Sequence, residues 1–311
     1  MSVSTKGIIF GYGLQGAKGT AVAVTAGLRV REEAGVQQFD SGEEPVNVAF
    51  KDGRWGNSDY DTMIGIRKPG WTGAPLMLSV GLIATLLDQI CDSSVVTTDT
   101  VYVLPATAVN PVATKYLTLV RRNLLALTKG ERLTDAVTKS IKLSSSEGDN
   151  KVKMDVDFLA SEYEHLFDAT AGTYTMPTTA ILLHKGLTFK IGSTATQCSE
   201  YDLNLDFGLI PIVDNAAKPQ EFMLTKFKAS GIARIPWADE DVVTDFRACS
   251  SNTLTLLWGV AGATGYLEII IPVKYTKPAQ DADNDRRFRQ GIPFESAETA
   301  SVALFTAKLH I

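Results

Sequence analysis

The chain has 311 residues, 45% of them hydrophobic and 21% charged, with a formal net charge of −5 and a pI near 5.3. That length and apolar content allow a substantial core and exclude disorder as the default state, while the acidic balance excludes the basic footprint of a protein that grips phosphates. Cys91, Cys198 and Cys249 are odd in number and far apart, with neither the CxxC pairs of a zinc knuckle nor the even framework of a disulfide-rich secreted domain.

The amino-terminal MSVSTKGIIFGYG has no hydrophobic run of signal-peptide length. The most apolar stretch, residues 76–91, is too short to span a bilayer and contains Asp88. The sequence therefore predicts a soluble, non-secreted protein. Residues 1–40 read as an arm with the first strands, the extended candidates being 6–10 and 27–31. Gly11-Tyr12-Gly13-Leu14-Gln15-Gly16 is a formal GxGxxG after the apolar Ile8, Ile9 and Phe10, with Glu32 and Glu33 near the spacing of a ribose-binding acid. A further glycine and β-branched residues follow it, and alternating strands stand where a dinucleotide site needs a βαβ series.

Residues 40–74 read as an extended loop, with a strand candidate at 46–50. Trp55, Tyr60 and Trp71 lie there among glycines and charges, the composition of a contact loop, and are candidate interface anchors. Pro75 opens a predicted helix over 75–91, placed in the first turn where its missing N–H is harmless. Apolar residues run nearly all round that helix, so it is expected to be buried on most sides. Residues 92–100 read as a polar turn region, and 101–104 and 116–120 as strands.

The most regular signal lies between Thr134 and Ala160. Val152, Met154, Val156 and Phe158 alternate strictly with Lys151, Lys153, Asp155 and Asp157. This is the period of a strand with one apolar and one charged face. Val137, Ile141 and Leu143 carry the partner strand, and SSSEGDN between them reverses the chain. Further strands are predicted at 187–191, 201–209, 222–235, 253–258, 266–274 and 301–309; the second of these turns Asp202 and Asp206 outward. The sum is a mainly β chain with one flanking helix and long loops, a single domain whose main sandwich occupies 101–311.

Chemical motifs are sparse. Asp281, Asp283 and Asp285 resemble the start of a calcium loop, but Arg286 replaces the required glycine and Ile292 the bidentate glutamate. His165 beside Glu162 and Glu164, and His184, lack a nucleophile or second ligand at helical spacing. No serine elbow or Cys-His signature occurs, and no catalytic, cofactor or metal residue is assigned.

In order, spacing and style, several segments resemble the tail tube proteins of tailed bacteriophages. They are GYGLQGAKGTAVAVT, APLMLSVGLIATLLDQI, KYLTLVRR, VTKSIKLSSSEGDNKVKMDVDFLA, FKIGSTATQCSEYDLNLDFGL and the closing run from IIIPVKYTKPAQ to VALFTAKL. The resemblance implies a tail-tube-type β-sandwich or barrel whose hexameric rings stack into a hollow virion tube, made in the host cytoplasm. Its implied partners are further copies of itself, a tape measure protein, tail terminator and baseplate or distal tail proteins, and a sheath where the tail contracts. Double-stranded DNA would pass through without specific binding. On this reading Asp155, Asp157, Asp202 and Asp206 are candidate lumen-facing residues. Trp55, Tyr60, Trp71, Arg286 and Arg287 are candidate inter-subunit contacts. The alternatives are another tail or baseplate ring protein, or a soluble ligand-binding β-barrel.

Overall fold

The computed structural model describes residues 8–31, 37–43, 45–47, 62–64, 67–105, 115–123, 129–168, 174–176, 178–179, 181–213, 218–236, 244–245, 247–277, 280–284, 287–297 and 303–311. The strands run in chain order as β1 (Ile8–Leu14), β2 (Ala26–Leu28), β3 (Pro45–Asn47), β4 (Thr62–Ile64), β5 (Gly70–Met77), β6 (Asp92–Val96), β7 (Asp99–Val103) and β8 (Leu117–Asn123). Next come the long β9 (Lys129–Ser146), then β10 (Val152–Leu159), β11 (Glu162–Asp168), β12 (Leu187–Ile191), β13 (Thr194–Thr196), β14 (Glu200–Asp206) and β15 (Leu209–Ile212). The last are β16 (Glu221–Leu224), β17 (Lys228–Pro236), β18 (Asn252–Trp258), β19 (Tyr266–Tyr275), β20 (Gln280–Asn284), β21 (Arg287–Ser296) and β22 (Thr306–His310). The helix α1 (Val80–Asp88) lies between β5 and β6.

The strand pairings are antiparallel and form open sheets that do not close into a barrel. One layer runs β5–β10–β9–β14–β17–β21. At β21 the ladder passes to β19, which belongs to a second layer, β13–β12–β18–β19–β22–β7–β6. Inward side chains of the two layers meet in one core: Tyr201 of β14 packs edge-on against Trp258 of β18 at 6.5 Å between ring centroids. A third set, β2–β1–β8–β9–β11, shares β9 with the first layer. The central ribbon matches the alternation of its sequence, with Val152, Met154 and Val156 fully buried and the residues between them half-exposed.

Several expectations are corrected. The predicted helix at 75–91 is a strand up to Met77, because Pro75, Leu76 and Met77 lie opposite Asp155, Met154 and Lys153 of β10. The Pro75 carbonyl also accepts from Arg31 N–H at 2.7 Å. The helix starts only after Ser79, whose extended backbone (φ −134°) breaks the strand, and its apolar circumference is buried between β22 and β9. The 92–100 turn region is a β-hairpin with a tight turn at Thr97 and Thr98. The 201–209 strand breaks at Gly208 (φ +63°), where a Cβ would lie 2.5 Å from the Lys226 carbonyl oxygen. The 222–235 segment divides into β16 and β17, and the final strand begins at Thr306 rather than 301. Within 40–74, β3 pairs with β4 and β5 begins at Gly70, so the span is not one loop.

Candidate functional site

The outer face of the β5–β10–β9–β14–β17–β21 layer is polar through its central strands β10, β9 and β14, with Pro75, Met77 and Ile232 toward its sides. Its register sets Asp155 beside Lys142, Lys142 beside Asn204, Asn204 beside Ser230, and Ser230 beside Glu295. A parallel row runs Asp157, Ser140, Asp206, Lys228, and another Lys153, Ser144, Asp202, Ile232. Because side chains on one sheet face repeat every second residue, the four aspartates predicted to share a face do so. Asp155, Asp157 and Asp202 line one shallow groove of about 520 Å³ with Arg31, Ser140 and Lys142.

This face is a charge lattice, not the acidic wall that the outward aspartates imply. Arg31 pairs with Asp155, Lys142 Nζ lies 2.9 Å from Asp202, Arg234 lies 2.5 Å from Glu200, and Lys153 lies 2.5 Å from Asp149. The ion pair between Lys153 and Asp149, together with nearby cations, lowers the Asp149 carboxyl below its ordinary range. Lys153, on the charged side of β10, is therefore part of this pattern. Asp157 is held differently: Ser140 Oγ–H and the Gly73 N–H each donate to it at 2.7 Å. Gly73 has φ +62°, and Thr72 and Gly73 of β5 oppose Asp157 alone, a bulge that turns a backbone donor toward the carboxylate. Asp206 accepts from the Gly208 N–H at 2.9 Å and closes the turn that ends β14.

The other predicted residues divide. Trp71 is 1% exposed, stacked on Phe10 at 4.7 Å and edge-on to Phe39 at 5.2 Å, so it belongs to the chain's own core and is not a surface anchor. Alternation along β5 turns it inward, beside Phe158 on the neighbouring strand. Arg287 opens β21. Trp55, Tyr60 and Arg286 lie outside the described residues.

The early glycines have a structural role. Gly11 and Gly13 lie within β1, and a turn rather than a helix follows. A Cβ on Gly11 would lie 2.6 Å from Val24 and 2.8 Å from the Ala26 carbonyl oxygen, so the glycine lets β1 and the 22–26 segment approach closely. The turn is tied down by Asp135, which is buried with φ +56°. Its carboxylate accepts from the Gly19 N–H at 2.7 Å, Ser161 Oγ–H at 2.6 Å and the Gln15 amide at 2.7 Å. Sequence periodicity gave no sign of this residue, because its partners lie far away along the chain.

Asp281 and Asp283 fall in β20, while Asp285 is outside the described residues. Among the described residues, no three His, Cys, Asp or Glu side chains cluster to hold a metal. His184 is buried. Its Nε2–H donates to the Cys198 carbonyl at 3.0 Å, and its Nδ1 lies 2.9 Å from Ser145 Oγ, so the ring ties the central hairpin to the β13–β14 connection. His165 lies at the surface, 3.1 Å from the Tyr163 hydroxyl and 3.8 Å from Glu131.

A cavity of about 620 Å³ opens between Lys18, Arg67, Asp135, Glu162 and Lys218. Ion pairs line it, Arg67 with Glu43 at 3.1 Å and Lys218 with Glu162 at 3.2 Å. Among the described residues, no helix is long and apolar enough to cross a membrane. No protein-family model matches the chain, and a search of the curated proteins returns no match.

Proposed function

We propose that this chain is a structural subunit of a hollow conduit of the bacteriophage tail-tube kind. In this proposal hexameric rings stack into a virion tube that passes double-stranded DNA without binding it. The observation that carries the reading is the face on which Arg31, Lys142, Lys153 and Arg234 each lie within reach of an acid of the same chain. A wall over which a polyanion slides must offer few free cations, because each lysine–phosphate contact releases counterions and adds affinity that would stall passage. Self-paired charges meet that need while keeping the surface wetted. Asp155, Asp157, Asp202 and Asp206 would then line the bore, each held by a cation or a hydrogen-bond donor within the same subunit.

The role is structural rather than catalytic. Its partners would be other copies of the chain, a tape measure protein inside, and terminator and baseplate or distal proteins at the tube ends, with a sheath around a contractile tail. Electron microscopy of the purified chain over a range of concentrations tests this. Long tubes are expected. Isolated rings would favour a tail-completion or baseplate ring protein, and dispersed monomers at every concentration would end the conduit reading in favour of a ligand-binding sandwich.

A further inference from the structure

Among the described residues the second layer ends in two unpaired edges, and we propose that they join head to tail: β6 of one subunit pairs with β13 of a second copy, so that this layer closes into a ring. The inference rests on the conduit reading and adds to it the strands that make the lateral contact.

Strand β6 is exposed at all five of its residues, Asp92 to Val96. The Thr97–Thr98 turn makes Val96 and Asp99 the hydrogen-bonded pair that closes the hairpin. Alternation then makes Val95↔Thr100 and Ser93↔Tyr102 non-hydrogen-bonded pairs, so the N–H and C=O groups of Ser93 and Val95 point away from β7. Among the described residues they meet no backbone partner. Natural edges are blunted by lysine, proline or a bulge, and this one has none of these. It carries instead Val95 and Val96, 73% and 56% exposed.

The ground beside the tip is also apolar and fixed in place. Val260 is 72% exposed and Ile311 61% exposed. Their segments are tied to the hairpin by Gly262 N–H donating to Asp99 at 3.0 Å and His310 Nδ1–H donating to the Thr98 carbonyl at 2.8 Å. Thr97, a β-branched residue, is held at φ +62° there, a costly conformation for its type.

At the opposite end of the same layer, the Gly192–Ser193 turn closes the β12–β13 hairpin through Ile191 and Thr194. By the same alternation Ala195 turns its N–H and C=O outward, and both Thr194 and Ala195 are exposed. Two unlike edges at opposite ends of one layer form a heterologous contact, the kind that generates a ring when the rotation closes. That geometry selects a second copy of this chain as the occupant.

The test uses two variants of the full chain, Val95→Pro and Ala195→Pro. Both prolines remove an N–H that points outward, so each hairpin's own ladder survives, which circular dichroism and a thermal melt verify. Val95→Lys is the fallback that leaves the backbone unchanged. Each variant alone is expected to lose every species larger than a monomer by sedimentation velocity. Mixed together they are expected to form one-to-one pairs and nothing larger, since each retains the edge that the other lacks. Added in small amounts to wild-type protein, either variant should shorten its tubes by capping them.

If wild-type protein forms rings or tubes and both variants do so equally well, this inference is overturned and the conduit reading stands. If the variants stay monomeric but neither pair with each other nor cap wild type, the head-to-tail arrangement is overturned. Wild-type protein that never associates overturns both.

Discussion

On the conduit reading, reversing Asp202 and Asp206 to lysine should make this face bind DNA. Asp202 neutralises Lys142 at 2.9 Å, and Asp206 lies directly across the ladder from Lys228. The double reversal therefore adds two lysines and releases Lys142, without touching the buried side of β14, where Tyr201, Leu203 and Leu205 lie. The lost ion pair is half-exposed and the Gly208 N–H loses its acceptor on Asp206, so the cost in stability is about 1–2 kcal/mol. Each phosphate contact contributes about 0.9 to the slope of log affinity against log salt, so about three new cations steepen it by roughly 2.7. Over a fourfold rise in salt, from about 50 to 200 mM, that slope weakens binding by roughly fortyfold. Fluorescence anisotropy of a short labelled duplex, titrated with soluble subunit at several salt concentrations, reads both affinity and slope. The neutral double variant Asp202→Asn, Lys142→Gln should behave like wild type. A wild-type subunit that already binds duplex with a steep salt slope would refute the lattice argument, as would a reversed variant that gains none.

Two further outcomes follow from buried groups. Asp135→Ala strands the Ser161 hydroxyl and Gln15 amide in the interior and puts alanine at φ +56°, so stability to urea should fall by about 3–5 kcal/mol. Asp135→Asn, which tolerates the same backbone, should cost less, and equal losses would mean that the carboxylate network does not hold the turn. Burial, aided by Asp92, pushes the Cys91 thiol up from 9.0 to about 12. The folded chain then keeps a proton that the unfolded chain has lost, so this group's contribution makes stability fall as pH rises from about 9 toward 12. A Cys91→Ala variant should show a shallower alkaline decline. In native protein Cys91 should resist thiol labelling while the exposed Cys249 reacts.

The ribbon at 134–160 was legible because alternation is local, and the same rule put all four aspartates outward. Their partners were not legible. Lys142 meets Asp202 only because β9 pairs with β14 in one register across sixty residues of chain, and Arg31 reaches Asp155 from outside the sheet. The helix at 75–91 was overextended because Pro75, Leu76 and Met77 continue its apolar pattern, and only the open edge of β10 decides that they become strand. Trp71 was misread for the converse reason. Its neighbours in sequence are glycines and charges, while its neighbours in space are Phe10, Phe39 and Phe158.

What makes these features one design is the length of β9. At 18 residues it would run about 60 Å if straight, beyond the usual span of a strand in one sheet. It stays within a compact fold because it bends. Asp135 takes a left-handed conformation, and the ladder slips beside Lys139, where Asp157 pairs with Ser140 but Phe158 with Thr138. Amino-terminal to the bend, β9 pairs with β8 and β11; carboxy-terminal to it, with β10 and β14. The slip also sets which side chains face out. A strand without it would carry Ile141 and Leu143, both fully buried, to the face that Ser140 and Lys142 now occupy, since a shift of one residue inverts the sides of a pleated strand. The charge lattice and the core therefore depend on the same irregularity, and a deletion of Lys139 should cost both at once.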